Sequence, residues 1–392
     1  FFKQKTAYEI KECDWSSDVC SSDLDYEGNK AVMSRRGEAF YMDIAYADGR
    51  HENYKIERTV GSRRVEQYVA KVGGQYFRLP VAWDIEHRRW MTLNGSFFYP
   101  DGTDVKKHYT QWDLNCVFCH NVKAQPNFNF NTRQANTEVS ELGIACGACH
   151  AQGADHATEA ASPWTRAMWR LGIGERMIVD PLKLDSDRAT MVCGHCHGQR
   201  VPEPQGRIRE IMSTGDPFNA GEDLSKYYTP VSAHTQIGNL SFASRFWPDG
   251  SPRLTAYEYQ GLTASACFLK GAPGSRISCI SCHSMHEGDV KGQITESMRT
   301  NTACTQCHVE LKDDAALKSH TKHEVTSEGS SCYSCHMPEV VYGVQSIHRT
   351  HLIAIPDPAR TASQGVPNAC NQGHVDNSVN WSIEQARTMW PE

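Results

Sequence analysis

Twelve of the sixteen cysteines fall into six copies of Cys-x-x-Cys-His. They are Cys116, Cys119 and His120; Cys146, Cys149 and His150; Cys193, Cys196 and His197; Cys279, Cys282 and His283; Cys304, Cys307 and His308; and Cys332, Cys335 and His336 (motifs 1 to 6). Composition alone would give roughly 0.03 copies. Two thiols three positions apart lie on one face of a helical turn, where both can add to the vinyl groups on one edge of a porphyrin. The His that follows then lies under the ring and can ligate its iron. This is the c-type haem attachment pattern, and it implies haem c as cofactor, six groups if every copy is used. Two other chemistries use such pairs. Disulfides within each pair would make redox motifs. Zinc ribbons would join Cys116/Cys119 with Cys146/Cys149, or Cys279/Cys282 with Cys304/Cys307. Neither explains a His after every second Cys.

The segment "PNACNQGH" places Cys370 and His374 as in a seventh copy, with Gly373 where the second Cys should stand. Three explanations stay open here: a one-base sequence error, a haem held by a single thioether at Cys370 with His374 on the iron, and a lost site. Cys267 has no partner at motif spacing and is expected to be an inert, packed thiol.

The second axial ligand decides whether such haems only move electrons or also bind a substrate. Twelve His remain besides the six that end the motifs. The distal candidates are His108, His156, His234, His286, His320, His323, His348 and His351. A His this close to one motif generally reaches a neighbouring haem rather than its own. His51 and His87 fall in a strand-rich region and are expected on the surface, and His195 points away inside motif 3. Motif 4 has no His close upstream, which makes it the expected place for an open iron position.

The elements that must position these groups follow from composition and pattern. The 392 residues suffice for two or three domains. Hydrophobic residues make up 39% and mean hydropathy is -0.56, with no apolar run long enough to span a membrane. Lys+Arg 40 against Asp+Glu 46 gives a net charge of -6, which does not suggest a nucleic-acid partner. Residues 1–24 read as translated sequencing-adapter read-through and are set aside, so a missing signal peptide says nothing about location. Residues 25–102 alternate, with turns at Asp48-Gly49 and Gly73-Gly74, and predict an antiparallel β domain cored by Tyr68, Tyr76, Phe77, Trp83 and Trp90. Residues 103–209 carry motifs 1 to 3. There "VSELGIACGACH" predicts a short helix, and Ser162-Pro163 a helix start. Residues 210–261 predict a linker or an inserted β-hairpin at "FWPDGSPRLTAYEYQ". Residues 262–376 carry motifs 4 to 6 and the degenerate CNQGH. Residues 377–392 begin an amphipathic helix that stops at Glu392. The motifs leave too little chain between them for ordinary cores. The expected fold class is therefore a multihaem cytochrome c fold: short α-helices and loops around stacked haems, with an N-terminal antiparallel β domain.

The segments "CISCHSMH", "CHAQGADH", "SCYSCHMPE", "VPNACNQGH" and "LPVAWD" resemble the multihaem c-type cytochromes related to the tetrahaem cytochromes of nitrification. They are similar, more closely, to the large bacterial cytochromes that carry helical repeats after the haem domain. The resemblance covers roughly residues 37–381. It implies that a His shortly after a motif is a distal ligand to another haem, which favours His286 and His156. It also implies a complete last motif, from which Gly373 departs, and repeats that would follow Glu392.

These observations imply an electron-transfer protein with closely packed, mostly bis-His haems, working with redox partner proteins. Covalent attachment implies a periplasmic or extracellular, bacterial location. A reductase or oxidase of a small nitrogen or sulfur compound, with one open haem, is the enzymatic alternative. No Cys-x-x-Cys-Lys variant is present to supply such a site. A third possibility is a docking module in which the haems are a relay.

Overall fold

The computed structural model describes residues 23–61, 63–93, 110–151, 153–254, 256–289, 292–343 and 346–391. Residues 1–22 of the adapter-like start and His108 lie outside these residues, whereas Asp23 and Leu24, set aside with that start, are the first residues of a paired strand. Seven strands form one antiparallel meander: β1 (Asp23–Tyr26), β2 (Asn29–Arg36), β3 (Ala39–Ala45), β4 (His51–Val60), β5 (Val65–Val72), β6 (Gln75–Asp84) and β7 (Arg89–Thr92). β1 and β7 come together, so the sheet curls into a near-barrel.

Alternation sets which side chains enter it. Phe40, Met42 and Ile44 are every second residue of β3 and are buried; Ile56, Tyr68, Leu79, Val81, Trp83 and Trp90 complete the interior. The expected turns are present. Gly73 and Gly74 both have positive φ, 58° and 86°, as a two-residue hairpin with the twist of its strands requires. The ladder slips between Ile56 and Arg58 and between Gln67 and Val69. Such bulges re-aim side chains. Tyr68 therefore packs inside while its neighbour Val69, with Val60, joins a second cluster of Trp112, Val117 and Ala124. Tyr76, expected in the β core, lies half-buried against this second cluster. That cluster seats the first Cys-x-x-Cys-His on the sheet.

Past the sheet the chain is mostly short helices and turns. Ser162 caps the helix Pro163–Arg170 by accepting from the Thr165 amide, as its sequence predicts. Ser378 caps Val379–Met389 in the same way. Two expectations change. In "VSELGIACGACH" only Gly147–His150 is helical; Glu141–Leu142 instead pairs with Asn121–Val122. Gly143, at φ 89°, turns the chain between the two. In "FWPDGSPRLTAYEYQ" a single bridge, Phe246 to Pro252, closes a turn, and Glu258–Ala264 is a helix. Pro252 cannot donate to a longer ladder.

The chain divides into two compact units, Phe1–Pro181 with Gly206–Glu222, and Leu182–Gln205 with Asp223–Glu392. The first holds the sheet and motifs 1 and 2. The second holds motifs 3 to 6 and the degenerate copy, around a small core of Val201, Val231, Phe242, Phe246, Leu254 and Tyr257. Among the described residues no helix is long and apolar enough to cross a membrane.

Buried Asp113 ties motif 1 to the sheet. Its carboxylate accepts from the Tyr76 amide at 3.0 Å and from the Thr137 hydroxyl at 2.6 Å. Asp113→Ala leaves both donors unmet, and chemical denaturation should show a loss of about 2–3 kcal/mol.

Candidate functional site

Each motif is built on a single helical turn. The amide of the motif His bonds the carbonyl of the first Cys at 3.0 Å for His120, 2.9 Å for His150, 3.0 Å for His283 and 2.9 Å for His308. Motif 3 ends the twelve-residue helix Ser186–His197, and motif 6 is the helix Cys332–His336. One turn brings both thiols and the imidazole to the same side. In motif 1, burial pushes the Cys116 thiol up to about 11 against the pull of nearby Arg78.

The surroundings fix the imidazoles. Nδ1 of His150 meets the carbonyl of Val179 at 2.7 Å, that of His283 meets Gly292 at 2.8 Å, and that of His336 meets Ala354 at 2.9 Å. A carbonyl can only accept, so Nδ1 carries the hydrogen and Nε2 keeps its lone pair for a metal. Distal candidates are set up alike. His156 Nδ1 meets Arg176 O at 2.6 Å, His323 meets Thr321 O at 2.6 Å and His351 meets Arg349 O at 3.2 Å. His156 also lies flat against Trp169, ring centres 5.0 Å apart.

Two motif histidines have a second imidazole opposite. His283 faces His351 with centres 6.2 Å apart and planes 15° from parallel, and His336 faces His320 at 6.2 Å and 13°. Two metal–nitrogen bonds of about 2 Å, plus about 1 Å from each Nε2 to its ring centre, add to about 6 Å. The spacing fits one iron between each pair. Burial holds His283, His351 and His320 below the ordinary histidine value, and His320 also feels His336. They are thus held neutral, the form that ligates. At motif 4, where the sequence offers no His close upstream, the facing ring is His351, from far along the chain.

The other candidates sit differently. His348 Nε2 bonds the Ser346 hydroxyl at 2.8 Å. His234 is exposed in a turn, and His286 is exposed after motif 4.

The thiols of the second unit meet in sequence. Cys193 shares a hydrogen bond with Cys279, and Cys304 with Cys332; the shared bond and burial push Cys193 and Cys304 up. Cys282 feels Cys307, and Cys335 feels Cys370. Motifs 3, 4, 5 and 6 and the degenerate copy therefore follow one another as neighbours. The apolar side chains Met285 and Val309 are exposed beside motifs 4 and 5. Among the described residues no three His, Cys, Asp or Glu cluster to hold a bare metal ion, and the described cysteines are free thiols. The turn, the paired thiols and the aimed imidazoles all suit a porphyrin.

Sequence reasoning missed Glu258. Its buried Oε2 lies 3.5 Å from His197 Nδ1. Burial alone would raise this carboxyl, but His197, with His351 also near, brings it down to about 2. No local signal marks Glu258, which lies on a separate helix far from motif 3 in the chain.

A family model for the doubled CXXCH motif matches residues 272–313, which span motifs 4 and 5. The cofactor that such motifs attach is haem c. The fold is that of a multihaem cytochrome. Among solved structures the chain is similar to the outer cell wall cytochrome OcwA, with TM-score 0.55, 18% identity, and 85% of this chain and 75% of that chain covered. No curated protein sequence matches it significantly.

Gly194, inside motif 3, lets Tyr259 of the neighbouring helix lie against the turn, because a Cβ there would collide with the Tyr259 ring. Gly194→Ala should lower stability by about 1–3 kcal/mol in urea denaturation. Gly206→Ala, where a Cβ meets nothing within 4 Å, is the neutral control.

Proposed function

We propose that this chain transfers electrons through six covalently attached haems, most of them closed by two histidines. The observation that supports this best is the facing imidazoles, His283 with His351 and His320 with His336, at a spacing that suits one iron between each pair. Bound there, haem supplies a one-electron couple whose potential its ligands and surroundings set. The residues do the rest. Cys116 and Cys119, Cys146 and Cys149, Cys193 and Cys196, Cys279 and Cys282, Cys304 and Cys307, and Cys332 and Cys335 hold the porphyrin edges. His120, His150, His197, His283, His308 and His336 take the proximal side. His351 and His320 take the distal side of motifs 4 and 6, and His156, its Nδ1 anchored on Arg176, is positioned for the same task. The neighbouring thiols of motifs 3 to 6 favour a row along which charge passes by short hops. A protein with two imidazoles on an iron leaves no position for a substrate there, which favours electron transfer over reduction of a small molecule at motifs 4 and 6.

The location we propose is outside the cytoplasm, with other redox proteins as donor and acceptor. It is supported by the attachment motifs and by the likeness of fold to a cytochrome of the outer cell wall.

In the reduced full-length protein, matured in a host that attaches haem, carbon monoxide should leave the Soret band unchanged at motifs 4 and 6. His351→Ala should open one haem and produce a carbon monoxide adduct of one site. Colourless mature protein, or wild-type protein that binds carbon monoxide at these sites, would refute the reading.

Glu258 gives a second outcome. Three motif histidines donate to neutral carbonyls, whereas His197 faces a buried carboxylate. That carboxylate makes the imidazole a stronger electron donor and lowers the potential of its haem. Glu258→Gln should raise one midpoint on the order of tens of millivolts in spectroelectrochemical titration, leaving the others in place.

A further inference from the structure

Cys370 and His374 keep the geometry of the complete motifs although Gly373 replaces the second thiol. The turn Ala369–Gly373 is helical, and the His374 amide bonds the Cys370 carbonyl at 2.8 Å, the same bond that shapes motifs 1, 2, 4 and 5. The turn is held from three directions. Asn368 caps it by accepting from the Asn371 amide at 3.0 Å, and reaches the Thr361 hydroxyl at 2.7 Å. The Asn371 side chain donates to the Asn377 carbonyl and accepts from Ser382 of the last helix. Trp381 lies against the His374 ring at 5.1 Å.

A second imidazole stands opposite. His323 faces His374 with centres 6.0 Å apart and planes 31° from parallel, near the separation of the two closed pairs. His323 Nδ1 is taken by the Thr321 carbonyl, which aims Nε2 outward. Room for this ring is made by Gly329, where a Cβ would collide with it. A degenerate site with no cofactor gives no reason for a second histidine to be anchored at an iron-spanning distance. The row of thiols also continues, since Cys335 of motif 6 feels Cys370.

Resting on the reading of motifs 1 to 6 as haem sites, we infer that a seventh haem is held here by one thioether to Cys370 and by His374 and His323 on its iron. In forming that link the Cys370 S–H bond breaks and Sγ bonds to the inner carbon of one vinyl group. The thiol hydrogen ends on the outer carbon, nothing leaves, and no electrons are gained or lost overall. The other vinyl group stays unsaturated, because Gly373 offers no sulfur. A Cβ at Gly373 meets nothing within 4 Å, so Gly373→Cys adds a thiol without disturbing the turn.

The intact mass of the full chain, matured in a host that attaches c-type haem, tests this. Seven haem masses are expected, with part of the pyridine haemochrome band displaced to longer wavelength by the remaining vinyl group. Cys370→Ala should bring the count to six, and Gly373→Cys should keep seven and move the displaced part back. Six masses in the wild-type chain overturn the inference, even if a further haem comes off in acid acetone, and leave motifs 1 to 6 standing. No added mass at all overturns the six-haem reading as well.

Discussion

One short backbone hydrogen bond, from the amide of a motif histidine to the carbonyl of its first cysteine, underlies the cofactor-bearing part of this chain. It closes a single helical turn and so decides that two thiols and an imidazole share a side. Such turns are too short to be stable as helices by themselves. They are held by long-range contacts: the Trp112 and Val117 cluster under motif 1, the Tyr259 ring on Gly194, and the Asn301 side chain on the Cys332 amide. The same economy recurs one level up. Backbone carbonyls at Val179, Gly292 and Ala354 each take one imidazole N–H. Each thereby fixes which nitrogen is left to meet a metal, with no side chain spent on the task.

Much of this is legible in the residues. The six motifs stand out because their spacing is a chemical requirement. The sheet is legible because its alternation and its paired turn glycines are local, and Ser162 announces its helix because a cap acts within one turn. The partners of the motif histidines are not legible. His351 meets His283, and Glu258 meets His197, only because distant segments fold onto one another. Proximity in sequence is therefore a poor guide to the ring that faces a motif histidine, as His351 opposite His283 shows. Local patterns misled in two places for a stated reason: Gly143 turned a predicted helix into a strand and a separate turn, and Pro252 kept a predicted hairpin to a single bridge.

The charge environment of the imidazoles is uneven, and the unevenness is structural. His308 Nδ1 lies 3.5 Å from Glu310, an exposed carboxylate that water screens, whereas Glu258 beside His197 is half-buried and turns a buried Oε2 toward the ring. A carboxylate with less water around it acts more strongly on what it touches. Neighbouring sites built on one motif are thus given different electronic surroundings by residues outside the motif.

The near-barrel meander is complete without any cysteine motif. Its strands are ordered as in the sequence, each beside the next, its interior is filled by its own side chains, and its end strands close on each other. Being self-contained and built from local pairings, it can become a finished globule while the rest of the polypeptide is still loose. Newly made protein would then present a structured head and a slack tail to the enzymes that attach porphyrin, keeping every thiol within their reach until the last one is capped.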